Sequence, residues 1–324
     1  MSTITDEKRL KEYDGTRKSD MSRGARFVYA LRRDYQIWIL LLPALAYFIV
    51  FHYLPLYGIQ IAFKDYKAVL GILGSPWVGL KQFEYFFSSY YAGRMILNTL
   101  LLNVYQILWS FPMPIILAIM LNQVNQKNFR RFTQTIIYVP NFISTIVLVG
   151  ILYLFLAPNN GFVNNLIRFF GGNEIFFMND ATWFRTVFIA SGIWQSAGWS
   201  AIIYIAALTG IDMEIYEAAT IDGASKRQKI IHIDIPHLVP IMTMILILNC
   251  GHLLGSNTDK VLVMQQAGNR SISDIIGVFV YTQGLERAQY SFTAAVGLMT
   301  NLVNFVLIIS VNWISKKLNQ TGLF

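Results

Sequence analysis

A single cysteine, Cys250, stands in the 324 residues, so neither an internal disulfide nor a multi-cysteine metal site can form within this chain. Charge is also scarce. Asp, Glu, Lys and Arg make up 14% of the residues, against about 25% in a soluble domain, while hydrophobic residues make up 55%. That balance excludes intrinsic disorder and an ordinary cytosolic enzyme. The four histidines, His52, His232, His237 and His252, lack the His-Glu-x-x-His spacing, and no metal site is expected. A Gly-x4-Gly-Lys-Ser/Thr phosphate loop is missing too. The nearest run, Gly74-x4-Gly79-Leu80-Lys81, misplaces the lysine.

The distribution of the missing charge is more telling than its amount. Six stretches, 37–63, 95–121, 132–157, 186–211, 238–258 and 288–315, contain none of the 26 Lys and Arg or the 18 Asp and Glu. Each exceeds the ~20 apolar residues that a membrane-spanning helix needs. A charge at the centre of such a helix costs roughly 2.5–3.5 kcal/mol on insertion scales. An all-α membrane protein with six transmembrane helices is therefore expected, its transmembrane domain running over 37–315. The stretch 1–33 is polar and precedes a 27-residue apolar run, too long for the hydrophobic core of a signal peptide. Net charge is +8, which could suggest nucleic acid, but in a membrane protein the placement of the basic residues matters more. The tail 1–36, the loops 122–131 and 212–237 and the tail 316–324 carry 17 Lys and Arg. The alternate loops 64–94, 158–185 and 259–287 carry 9. The positive-inside rule places both termini in the cytoplasm and makes the three longer loops external. Those outer loops suit a docking surface for a soluble partner, or act as passive spacers. Within them, 77–87 reads as a turn feeding a short interfacial helix, and Phe162–Phe170, closed by Gly171-Gly172, as another.

Prolines 43, 55, 112, 114, 140 and 240 lie in or near the ends of the spans, where neighbouring helices can re-satisfy a broken ladder. Polar side chains form two stripes. Ser191, Gln195 and Trp199 follow an i, i+4, i+8 spacing, and Asn249, His252 and Ser256 an i, i+3, i+7 spacing, each one helical face. Buried amides and imidazole in lipid need partners. They bond neighbouring helices or line a wet cavity, and Trp194 and Trp199 could then offer flat faces to sugar rings. Gly251-xxx-Gly255 reads as close helix packing, His52 as a satisfied interface histidine, and the sequons at Asn269 and Asn319 as chance.

The sharpest signal is the loop 212–237, IDMEIYEAATIDGASKRQKIIHIDIP over 211–236. It reads as two short helices around a turn. Asp212 caps the first, Asp222-Gly223 breaks it, Ser225 and Gln228 form a capping box for the second, and Pro236 ends that second helix. Glu217-Ala218-Ala219 then sits on a compact helix with two small side chains and one carboxylate.

At these residues the chain resembles the permease subunits of binding-protein-dependent ABC importers. Their Glu-Ala-Ala, Asp-Gly-Ala and Ile-x-Leu-Pro signature stands here as Glu217-Ala218-Ala219, Asp222-Gly223-Ala224 and Ile233-Asp234-Ile235-Pro236, with Ile235 for Leu and Ile230 for an aromatic. Trp77-Val-Gly-Leu-Lys-Gln-Phe83 and Asn98-Thr-Leu100 look like segments of the sugar-importing branch. The whole pattern is similar to the LplB-like oligosaccharide subgroup and, more narrowly, to permeases of alginate-oligosaccharide importers.

The resemblance implies a type I ABC importer permease fold in the bacterial cytoplasmic (inner) membrane. It implies a heterodimer with a second, similar permease, two ATP-binding cassette subunits that bind the ATP and magnesium, and an external solute-binding protein. The chain itself would be no enzyme, hold no cofactor and bind no nucleic acid; its surroundings would be membrane lipid. Glu217, Ala218, Ala219, Asp222, Gly223 and Ala224 would couple to the ATPase. In the family the helices flanking that loop contact the sugar, which here implies Ser191, Trp194, Gln195, Trp199, Asn249, His252 and Ser256. The alternative is an ion- or proton-coupled carrier, against which stands the lack of any charged residue in the spans and of evident inverted repeats. An intramembrane enzyme would need a constellation that His52 and His252 alone do not supply.

Overall fold

The computed structural model describes Tyr29, residues 33–255 and residues 257–319. Ser256 and most of the tail 1–36 lie outside the described residues. The chain parts after Gln60 into two compact units. In the first, α1 (Tyr35–Phe48) carries Pro43 inside it and continues through a π-turn over Ile49–Tyr53. Residues 35–57 are exposed throughout although mostly Leu, Ile, Phe and Tyr. A helix apolar all round is suited to lipid. His52 rests its ring on Tyr47 and Phe48, with centroids 5.6 and 5.1 Å away.

The second unit, from Ile61 onward, is likewise helical among the described residues, apart from one bridge between Lys64 and Trp77. Its longer helices are α2 (Lys81–Ser88), α3 (Ala92–Ser110), α4 (Pro112–Asn122), α5 (Lys127–Tyr138), α6 (Thr145–Phe155), α7 (Phe162–Phe169), α8 (Ala181–Thr209), α9 (Met213–Ile221), α10 (Ile235–Gly251), α11 (Thr258–Met264), α12 (Ile276–Tyr281) and α13 (Tyr290–Asn319). Among the described residues, four helical runs are long and apolar enough to cross a membrane, or six if each of two bent pairs counts as one span.

Proline placement explains the run that is broken. Pro112 opens α4, but Phe111 before it keeps right-handed helical geometry and donates its N–H to Ile107 O at 3.1 Å, so α3 and α4 together form one 31-residue run. Pro140 sits in a short 3₁₀ turn after α5, Ser144 caps α6 by accepting from Val147 N, and the chain bends by 99°. The stretch 132–157, expected as one span with Pro140 within it, is thus an amphipathic helix bent sharply onto an apolar one.

Two expectations about the fifth span also need correction. Pro236 does not end a helix. The residues Lys226–Gly251 form a single 26-residue run, and a π-turn over Ile230–Asp234 immediately before Pro236 loosens the ladder where its ring and missing N–H would disrupt it. At the other end the helix stops at Gly251. His252 has left helical geometry and Asn257 is left-handed at φ 70°, so Asn249 and His252 do not lie on one continuous helical face. A Cβ on Gly251 would meet Ile308 Cδ1 at 2.8 Å, which supports the close-packing reading of that glycine.

The loop 259–287 is not a spacer. Val261, Met264, Ile275 and Val278 are buried in one cluster with Phe184, Phe188 and Val149. Asn98 and Thr99 hold it to α3. The Asn98 amide donates to Ser271 O and Asp274 O at 2.9 and 3.1 Å, Thr99 Oγ1 accepts from Ile276 N at 2.9 Å, and Arg94 pairs with Asp274 at 2.9 Å. Asn269 is fully buried, its amide donating to Met178 O and Met264 O, so its sequon is structural. A second cluster, Ile115, Ala118, Ala201, Tyr204, Leu208 and Leu238, lies further along α8. The two short helices expected in the outer loops are present as α2 and α7, the latter closed by Gly171 at φ 81°.

Candidate functional site

Between those two clusters α8 turns a polar edge toward α3. A cavity of about 350 Å³ opens there, its polar lining supplied by Asn103, Gln106 and Ser110 of α3, Ser196 and Ser200 of α8, and Asn249 and His252 at the end of α10, and the rest of its wall by apolar side chains such as Ile107, Phe111, Ile203, Ile245 and Leu253. A smaller recess of about 210 Å³ shares Gln106, Ser110 and Ser196 with it and adds Gln195, Asn257 and Lys260. Asn257 Nδ2 donates to Asn103 Oδ1 at 3.1 Å and to Gln106 Oε1, so the left-handed turn after α10 is tied to α3. Amides and hydroxyls that both donate and accept are the groups that can replace water around a polyhydroxylated ligand.

The residues expected to face a substrate separate into groups. Asn249 and His252 line the cavity, and Gln195 lines the recess. Ser191 is buried and spends its hydroxyl on Val187 O and Phe188 O of its own helix. Gln195 Nε2 also donates to Ile143 O at 2.8 Å, and Trp199 packs edge-on against Phe142 at 5.6 Å. Ile143 lies in the gap between the Pro140 turn and α6, outside any helix ladder, so this face of α8 satisfies a carbonyl that the bend released. The approach is close. A Cβ on Gly198 would lie 2.0 Å from Ile137 O. Trp194 is half exposed and borders neither cavity, and Ser256 lies outside the described residues. The stripe on α8 is thus chiefly helix packing. Asn103, Gln106 and Ser110 line the same cavity, and their i, i+3, i+7 spacing on the second span is the same polar-face signal that the fourth and fifth carry.

The hairpin after α8 is built as its residues predict. Asp212 Oδ1 accepts from Glu214 N at 3.0 Å, Gly223 takes φ 76°, and Ser225 and Gln228 form the capping box. Lys229 Nζ donates to Thr220 Oγ1 at 2.6 Å, joining the two arms. Asp234, fully buried, ends the second arm. It accepts from the Tyr216 hydroxyl of the first arm and from Gln123 Nε2 at 3.1 Å. Burial, reinforced by the Asp234 carboxylate, pushes the Tyr216 phenol well above its ordinary value, and an Asn122 side chain pulls the other way. Ala219, Asp222, Gly223 and Ala224 border a shallow groove of about 290 Å³. Glu217 and Ala218 are exposed beside it, with Met213 66%, Ile215 49% and Ile221 87% exposed. Met213 and Ile221 flank Glu217 at i, i+4, i+8 on one face, with Ile215 on the opposite side, and such exposed apolar side chains beside a carboxylate make that face a candidate interaction surface.

Residues 110–320 match the family described as binding-protein-dependent transport system inner membrane component. The chain is 40% identical to Protein LplB of Bacillus subtilis over 93% of this chain and 95% of that one. It is 39% identical to the polygalacturonan/rhamnogalacturonan transport system permease protein YteP of the same organism, over 92% and 93%. Among solved structures it superposes on a chain of a bacterial ABC transporter involved in the import of the acidic polysaccharide alginate, with TM-score 0.84 and 35% identity over 91% of this chain and 99% of that one. A second structure, that of a bacterial alginate ABC transporter in complex with an alginate pentasaccharide-bound periplasmic protein, gives TM-score 0.85 at 34% identity over 92% and 100%.

Proposed function

The chain belongs to the binding-protein-dependent transport system inner membrane components, and from that premise we propose how its parts perform import. It is a multi-pass inner-membrane permease of a sugar ABC transporter with the type I permease fold. Its cargo is an oligosaccharide, and an acidic one is favoured by the alginate transporter and the polygalacturonan/rhamnogalacturonan permease it is similar to. Six spans with both termini in the cytoplasm fit the excess of basic residues on the two tails and on the loops 122–131 and 212–237. A second, similar permease, two ATP-hydrolysing subunits and an external solute-binding protein complete the assembly. The last has a counterpart in the alginate complex.

The observation that carries the mechanism is the hairpin 212–229. It exposes an apolar row beside Glu217, and its second arm runs without a break into the fifth span. A motor subunit seated on Met213, Glu217 and Ile221 would move that span directly, and Asp234 would keep the two arms moving as one. The polar cavity between α3, α8 and α10 then opens alternately to either side. ATP and magnesium belong to the motor subunits in this scheme.

The test is reconstitution of the four-part complex with its solute-binding protein in proteoliposomes. Uptake of oligosaccharide should require both ATP and the solute-binding protein. Uptake that runs on an ion gradient with neither present would replace this reading by the coupled carrier.

A further inference from the structure

One charged side chain faces the cavity system, and the apolar stretches give no hint of it. Lys260 of α11 is 9% exposed and contributes to the wall of the recess shared by Gln106, Ser110, Ser196 and Gln195. Its Nζ donates to Phe188 O at 2.8 Å and stands 4.6 Å from the centroid of the Phe188 ring. The ion pairs among the described residues are Arg33–Asp34, Arg94–Asp274 and Arg270–Asp274, so no described carboxylate lies within 4 Å of this ammonium. An ammonium has three donors, and one is spent on the Phe188 carbonyl. The site also makes room for it. A Cβ on Gly192 would lie 3.3 Å from Nζ, so that glycine keeps the notch open.

A buried cation without a counter-charge costs several kcal/mol of desolvation, and a methionine or leucine would fill the same volume at no such penalty. A charged group kept out of water against that cost, in the wall of a recess, marks a candidate functional site. Coulomb attraction in a poorly solvated recess is far stronger than in water, so this ammonium discriminates by charge where the surrounding amides and hydroxyls cannot.

We propose that Lys260 is the charge-reading point of the cargo path, its ammonium receiving a carboxylate of a uronate-containing oligosaccharide as the sugar passes between α3, α8 and α11. This rests on the importer reading given above and adds to it a residue and a chemical selection. A carboxylate supplied by the second permease is the competing occupant, and it would neutralise Lys260 permanently and make the cargo's charge irrelevant there.

The experiment compares uptake of a uronate trisaccharide with that of its methyl ester, each presented to the reconstituted complex on saturating solute-binding protein. In the wild type the acid should be taken up at least tenfold faster than the ester. Lys260→Met should cut that ratio at least tenfold and Lys260→Arg should restore most of it, with copurification of all subunits reporting assembly. A wild-type ratio near one, or an unchanged ratio in an assembled Lys260→Met complex, overturns the inference and leaves the importer standing. Should Lys260→Met fail to assemble, the wild-type ratio alone still decides. Wild-type uptake of no oligosaccharide of any charge would instead sink the reading on which the inference rests.

Discussion

Tyr216 and Asp234 are eighteen residues apart and joined by a hydrogen bond from the phenol to the carboxylate. The bond spans the hairpin from its exposed arm to the buried start of the fifth span, and Gln123 at the end of the run formed by α3 and α4 holds the other carboxylate oxygen. A buried carboxylate with two donors is stable, whereas one that loses a donor is left underpaired at a cost of about 1–3 kcal/mol. Because the phenol's pKa is raised, it remains a donor throughout the physiological pH range.

Tyr216→Phe keeps the ring and removes that donor. The complex is expected to assemble, lose about 1–3 kcal/mol of stability and transport several-fold less sugar per ATP hydrolysed. Paired uptake and phosphate-release assays check this. An unchanged ratio would reduce the contact to local packing.

Glu217→Lys and Gly223→Pro act on the exposed arm. Lysine inverts the carboxylate between Met213 and Ile221 on the exposed face, and proline cannot adopt φ 76°. Both variants should lose copurification with the ATPase subunit or hydrolyse ATP without transport. Normal copurification and normal uptake would assign the motor contact to another loop.

Asn249→Ala and Trp194→Ala separate the cavity from the stripe. Asn249 lines the cavity and Trp194 does not. The first should lower uptake at least several-fold with assembly intact, and the second should leave uptake within twofold. The reverse order would place the cargo on the other side of α8.

Gln195→Leu strands the Ile143 carbonyl that the Pro140 turn leaves outside any helix. Polar contacts between membrane helices are worth about 0.6 kcal/mol on average and up to ~1.7, so a loss of that order should appear as a lower thermal midpoint of the purified complex. A midpoint equal to that of wild type would mean that water or a neighbour replaces the amide.

The family was legible from a few adjacent residues, because a hairpin of two capped helices is local. Asp212, Gly223, Ser225 and Gln228 act on backbone within four residues of themselves, and each does what its type predicts. The apolar stretches were legible for the same kind of reason, since a run without charge is read residue by residue against lipid. Asn249 and His252 stand out in the sequence by their polarity, although the helical spacing between them does not hold once α10 stops at Gly251.

What stayed hidden depended on contacts between distant segments. That Ser191 bonds its own helix, that Gln195 serves a proline bend 52 residues away, and that loop 259–287 folds into the core follow from packing, which hydropathy does not record. Lys260 is the extreme case. In the sequence it is one basic residue among those of an outer loop. Only the folding of α11 against α8 removes it from water and sets its ammonium on the Phe188 carbonyl. Local chemistry along the chain therefore determines that this protein is a membrane permease with a capped two-helix hairpin, because capping, charge exclusion and turn geometry act over a few residues. The tertiary structure decides which polar side chains line the cavity and which are spent on helix packing, because burial and pairing of a polar group depend on neighbours dozens of residues away.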